Sequence, residues 1–236
     1  AGSGIILSRT LKTLGIGESL AEEEIRELTR SANPTVATYA KQDGVHVRIT
    51  AKAPTSKDAR EMVAEFDGRL RDILGDHVYG VDDETIPDAV ASLLDKRGLT
   101  LATMEACTGG QWAASLTSAS AATSRFLGGV VCFDPRLMEQ FGVEPGMLPA
   151  HGIVSEESTR GMARAARKSM HSDLGLAVSC GSEGGAGSAE HLAIVHCAID
   201  DRGEVSSSIS RYSTTPGEVR RRAVLDALDL LRRRLL

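Results

Sequence analysis

The chain has 236 residues, long enough for one large or two small domains with proper cores. Hydrophobic residues make up 42% and charged residues 25%, with aromatics at only 3%, so the cores must be built from Leu, Val, Ile and Ala. The net charge of −5 argues against a general nucleic-acid binder, and no apolar stretch approaches the roughly 20 residues needed to span a bilayer. The sequence carries no charged-then-apolar leader, and nothing in it suggests secretion, which gives the expectation of a cytoplasmic protein.

In chain order, Ile5–Leu14 reads as a strand ending at Gly15 and Gly17, and Ser19 as the cap of a helix over Leu20–Thr29. The Asn33-Pro34 step precedes a strand at Thr35–Lys41. Asp43-Gly44 is a hairpin signal, and Val45, Val47 and Ile49 alternate with His46, Arg48 and Thr50 in the returning strand. Pro54, Thr55 and Ser56 open a helix through Leu74, with Met62, Val63, Phe66, Leu70, Ile73 and Leu74 at helical spacing. A short strand at His77–Val81 completes a β-α-β-β-α-β order, the split-βαβ pattern. This first domain, residues 1–82, lacks the Gly-X-X-Gly loop that clamps nucleic-acid backbones and reads as a structural or oligomerising module.

Asp82, Asp83 and Glu84 mark the boundary to a second domain, residues 83–236, which opens on a helix at Thr85–Lys96. Strands are expected near 99–106, 128–133, 174–179, 191–199 and 204–212, and helices near 109–119, 136–141, 155–170 and 217–235. That alternation predicts an α/β fold with three layers, α/β/α, around a mixed sheet of about five strands. The basic residues at 220–222 and 232–234 spread around the terminal helix and read as a solvated face. Cys107, Cys132, Cys180 and Cys197 include no CxxC pair, so reduced thiols are the default. Three of them fall at or near strand ends, which leaves a thiol or metal cluster open. No metal site and no cofactor is otherwise expected.

The most informative segment is LATMEACTGG at 101–110: a strand, a glycine turn and a helix start. Such a turn aims backbone N–H groups at whatever lies above it. Together with GGVV at 128–131, HGIVSEE at 151–157 and DLGLAV at 173–178, this segment resembles the C-terminal domain of the CinA family. SRTLKTLGIGES at 8–19, NPTVATYAK at 33–41 and GDHVYGVDDET at 75–85 are similar to the family's preceding domain. The resemblance implies the layered fold, homodimers, and a nicotinamide-nucleotide amidase, which converts nicotinamide mononucleotide to nicotinate mononucleotide plus ammonia. In full-length members a further domain resembling molybdopterin-binding proteins carries a pyrophosphatase activity on ADP-ribose.

Carried over residue by residue, the family's reactive groups are replaced. The serine nucleophile's position holds Ala106, the tyrosine's holds Phe133 and the lysine's holds Met138. The family's glycine loop becomes SCGSEGGA at 179–186, with Glu183 a poor neighbour for phosphate, and cationic positions are lost near Glu190 and at 214–216. The expectation is therefore a catalytically impaired module, with no catalytic residue intact. Its ligand seat falls on Thr108, Gly109, Gly110, Ser179 and Gly181, and a nicotinamide nucleotide is the ligand class. The alternative is a working amidase with a rearranged site in which Cys107 attacks. Thr108 also reads as a helix cap, and His151 as part of a capped turn ahead of a helix at Ser155. His191 and His196 read as core or surface residues of a strand.

Overall fold

The computed structural model describes residues 4–119, 124–183 and 192–236. Two compact units, residues 1–86 and 87–236, divide the chain.

The first unit runs β1 (Ile5–Thr13), α1 (Glu18–Glu24), α2 (Arg26–Thr29), β2 (Thr35–Lys41), β3 (Gly44–Ala53), α3 (Ser56–Leu74) and β4 (Val78–Val81). Its antiparallel sheet has the order β2-β3-β1-β4, the split-βαβ arrangement. The alternation in β3 sends Val45, Val47 and Ile49 into the core beneath α3, whose Val63, Phe66 and Leu70 meet them. Thr55 caps α3 by accepting the Asp58 N–H at 3.2 Å. The expected helix over 20–29 differs. Helix α1 starts from Gly17 rather than from a Ser19 cap, and at Ile25 the backbone leaves helical geometry (φ −94°, ψ 10°). Ile25 is fully buried, and the bend lets Ala21 and Leu28 on either side of it reach the core as well.

The second unit begins with α4 (Ile86–Arg97) and β5 (Leu101–Glu105), followed by α5 (Gln111–Thr117), β6 (Phe126–Val131) and α6 (Pro135–Gln140). It continues with α7 (Met147–His151), α8 (Glu156–Ser169), β7 (Leu174–Glu183), β8 (Leu192–Asp201), β9 (Glu204–Ser213) and α9 (Pro216–Leu235). The sheet order is β6-β5-β7-β8-β9, parallel across β6, β5 and β7 and antiparallel from β7 to β9. Strands β5, β6, β7 and β9 therefore end on the same side of the sheet. The sheet is mixed and layered, as the βα alternation predicts.

One face of the sheet presents Met104, Ala177 and Ala198, which pack on Met162, Ala163 and Ala166 of α8. Burying a side chain such as Met162 completely is worth about 1.5–3 kcal/mol. Gly175 of β7 sits where a Cβ would collide with the Ala163 carbonyl oxygen, so glycine sets how closely α8 lies on the sheet. Asp200 is fully buried, accepting from Arg167 of α8 at 2.7 Å and from the Gly203 N–H at 2.8 Å. Helix α9 covers the other face. It is held mid-length by the Tyr212 hydroxyl, which donates to Asp226 at 2.7 and 2.8 Å from its two oxygens. The helix α7 is an addition to the expected elements: Pro149 in a five-residue stretch between Gly146 and Gly152 gives no periodicity to read.

Candidate functional site

The site is built where β5 and β7 end. Residues pair across these parallel strands at a constant offset, Leu101 with Leu174 through Glu105 with Val178, and the Ala106 N–H continues it by donating to the Val178 carbonyl at 2.9 Å. The chain then turns through Gly109 (φ 64°) and Gly110 (φ 87°), left-handed conformations that favour glycine, into α5.

The turn is already filled. Glu105, 1% exposed, folds its carboxylate back under the start of α5. It accepts the Thr108 hydroxyl, the Gly110 N–H at 3.0 Å, the Trp112 N–H at 3.2 Å and the Ala113 N–H at 3.0 Å. A buried carboxylate needs several donors, and a helix start needs acceptors for its free amides, so each satisfies the other. Of the expected ligand seat, the Thr108 hydroxyl and the Gly110 N–H are thus taken up by the chain's own carboxylate. The reading of Thr108 as the cap is corrected, because Gly110 occupies that position. Ser179 is fully buried and shares a hydrogen bond of 2.7 Å with Thr159 of α8.

A cavity of about 300 Å³ opens beside the turn, on the α9 side of the sheet. Ala106 and Cys107 form its wall with Cys180, Gly181, Ser182 and Ala193. Phe133 lies at one margin, and Thr214, Pro216, Val219 and Arg220 bring in the start of α9. Two of the three carried-over positions, Ala106 and Phe133, thus meet in one cavity, as does Gly181. Met138 is not among its lining residues. It is fully buried in the apolar cluster that also takes in Ala106, Met104 and Leu148.

Cys107 and Cys180 are joined as a disulfide, their Cα atoms 5.5 Å apart. For these two residues the expectation of reduced thiols is corrected, and Cys107 in this state offers no nucleophile. The strand offset that pairs 105 with 178 brings 107 opposite 180. Cys132 and Cys197 are free and buried, and burial pushes both thiols up. Among the described residues no group of three or more His, Cys, Asp or Glu is placed to hold a metal ion.

Arg220 is the residue that sequence reasoning passed over, as one of three arginines on a solvated face. Arg221 and Arg222 both donate to Glu218, whose carboxyl they hold down at about 2. Arg220 has no such partner among the described residues and stands exposed at the cavity's edge. The available signal was spacing: Pro216, Val219 and Arg220 share one face of the first turn of α9. His151 ends α7, and Ser155 caps α8 by accepting the Ser158 N–H at 3.2 Å. His196 is buried in β8, paired in register with Ser179 and Ile209. The expectations placed on residues 184–186, Glu190, His191 and the side chain of Glu183 lie outside the described residues.

Comparison with known proteins decides the family. The family model for the CinA C-terminal domain matches residues 83–235, and that for the damage-inducible protein CinA KH domain matches residues 8–80. The chain belongs to the CinA family. A putative competence-damage inducible protein of Moorella thermoacetica is 38% identical over 233 residues, which is 98% of this chain and 56% of that protein. A CinA-like protein of Gloeobacter violaceus is also 38% identical, over all of this chain and 56% of its own length. The chain thus spans a little over half the length of these relatives. Among solved structures, a CinA superfamily protein from Klebsiella pneumoniae superposes with a TM-score of 0.57 at 28% identity, covering 64% of this chain and 95% of that one. A competence or damage-inducible protein from Enterobacter asburiae gives 0.57 at 29% identity, with 65% and 100% covered. The CinA fold is thereby established for the larger part of the chain.

Proposed function

We propose that the second unit is a CinA domain that binds a small anionic molecule, of the nicotinamide-nucleotide class, without hydrolysing it. The observation that carries this reading is the lining of the cavity. Amide hydrolysis needs a nucleophile, a base to activate it and donors for the oxyanion. Ala106 and Phe133 contribute no hydroxyl, and Cys107 is tied to Cys180. The hydroxyls of Ser182 and Thr214 have no His, Lys, Asp or Glu beside them among the described lining residues. Losing the nucleophile alone costs hydrolases on the order of 10⁶ in rate, and further losses add little because the groups act together. Arg220 at the edge supplies the charge that selects an anion.

The test is ammonia release from nicotinamide mononucleotide, paired with calorimetric titration of the same compound. Binding without turnover is the expected outcome. Turnover above background overturns the reading.

A second reading is favoured by one observation: Cys107 lines the cavity, so the reduced protein holds a thiol there. An amidase built on it would release ammonia only with reductant present, and Cys107→Ala would abolish that activity. Homodimers and a cytoplasmic location belong to the same proposal. The first of these is checked by light scattering during size-exclusion chromatography. No described helix is long and apolar enough to cross a membrane.

A further inference from the structure

We propose that Cys107 and Cys180 form a reversible thiol–disulfide pair in the cavity wall, open to exchange with small thiols while the fold stays intact. The inference shares the Cys107–Cys180 link with the binding reading but needs no bound ligand, and it stands on three observations.

The first is that the sheet, not the sulfur bond, brings the two residues together. The β5–β7 register and the hydrogen bond from the Ala106 N–H to the Val178 carbonyl hold the backbones side by side. Opening the bond therefore leaves the two sulfurs as neighbours, ready to close again. The second is that the turn after Cys107 has its own anchor. Glu105 gathers Thr108, Gly110, Trp112 and Ala113 whether or not the disulfide is present. Reduction thus removes one cross-link from a segment already fixed.

The third is access. Both cysteines face the cavity of about 300 Å³, and Cys180 is only half-buried, while Cys107 is 7% exposed. Cys132 and Cys197 are buried and line no part of it. An incoming thiol therefore meets Cys180 first, and the free cysteines stay out of reach.

The chemistry is ordinary exchange. The thiolate of a small thiol attacks Sγ of Cys180. The new sulfur–sulfur bond forms as the Cys107–Cys180 bond breaks, and Cys107 leaves as a thiolate that takes up a proton. A second thiolate attacks the external sulfur of the mixed disulfide and releases Cys180, which is protonated in turn. The balance is one protein disulfide and two small thiols giving one protein dithiol and one small disulfide. The reductant is thus a low-molecular-weight thiol, and its disulfide is the oxidant of the reverse reaction.

Glutathione serves as the probe. The native protein is equilibrated in buffers from fully oxidised to fully reduced glutathione, quenched with iodoacetamide and mapped by peptide mass spectrometry. Circular dichroism is followed in parallel. The expected result is that labelling of Cys107 and Cys180 rises together from near zero to near completion. Cys132 and Cys197 should stay unlabelled, the far-ultraviolet signal should not change, and oxidised glutathione should restore the link. In Cys107→Ser, oxidised glutathione should leave one adduct, on Cys180. The proposal is overturned if Cys107 and Cys180 label only together with Cys132 and Cys197 as the protein unfolds. A missing 107–180 cross-link in the oxidised map, or an unmodified Cys180 in the Cys107→Ser variant, overturns it equally.

Discussion

Two helices, α5 and α9, begin on the same side of the five-stranded sheet, and they treat their first turns in opposite ways. At α5 a buried carboxylate from the preceding strand collects a hydroxyl and three backbone amides. At α9 the residue before the helix, Thr215, makes no side-chain cap, Pro216 stands at the first position, and the turn borders a cavity with Arg220 at its edge. The glycine-rich turn, which looks the better anion seat in the sequence, is the closed one. Whether a helix start is available to a ligand depends on what the chain itself has put there, which the propensity of the turn does not report.

The sharpest way to break this comparison is Glu105→Ala, which strands the buried Thr108 hydroxyl and leaves three amides without an acceptor. A loss of about 3–5 kcal/mol in denaturant unfolding is expected, and Glu105→Gln, which keeps one acceptor oxygen, should lose less. Gly110→Ala comes next. A side chain at φ 87° costs about 1–2 kcal/mol, read in the same experiment.

Helix α9 is fixed by its middle instead of its start, and Asp226 reports this through pH. Burial pushes its carboxyl above the ordinary value, and the Tyr212 hydrogen bond only partly opposes the rise. A carboxyl raised in the folded state is stabilising below its unfolded value, and that benefit is lost as pH rises through the folded value. Asp226→Asn should therefore flatten the decline in melting temperature on going from acid towards neutral pH, measured by a pH series of thermal melts. The smallest effect is expected at the open helix start. Arg220→Gln should weaken calorimetric binding of nicotinamide mononucleotide by about two- to fivefold, up to ~1 kcal/mol, because an exposed charge is screened.

Most of the fold is legible in the sequence because its signals are local. The alternation in β3, the spacing of Val63, Phe66 and Leu70, and the Asp43-Gly44 turn each specify their element within a few residues. What is not legible depends on partners distant in the chain. The break at Ile25 follows from burial against the sheet. The Cys107–Cys180 link needs the β5–β7 register, which brings together residues 73 apart. At the site, Ala106 and Phe133 line one cavity, whereas Met138 packs in the interior, a separation that their places along the chain do not announce. Arg220 emerges only when Glu218 is seen to occupy its two neighbours. The Thr108 hydroxyl is taken by a carboxylate three residues earlier, which its place in a glycine turn does not reveal.

The ordering of the sheet also carries a kinetic consequence. Strands β2 and β3 are joined by a two-residue turn, so their pairing closes almost no loop. The pairing of β5 with β7 must gather residues 101 and 174, with β6 and the four helices α5 to α8 strung between them. Loop-closure entropy has to be met before such a contact yields any return, and chains dominated by distant pairings fold slowly. The nascent hairpin of the first unit can assemble in microseconds. The strand ends that form the cavity wall join residues 73 apart, so the site is expected to assemble later than the hairpin, as site-directed variants read in folding kinetics would show.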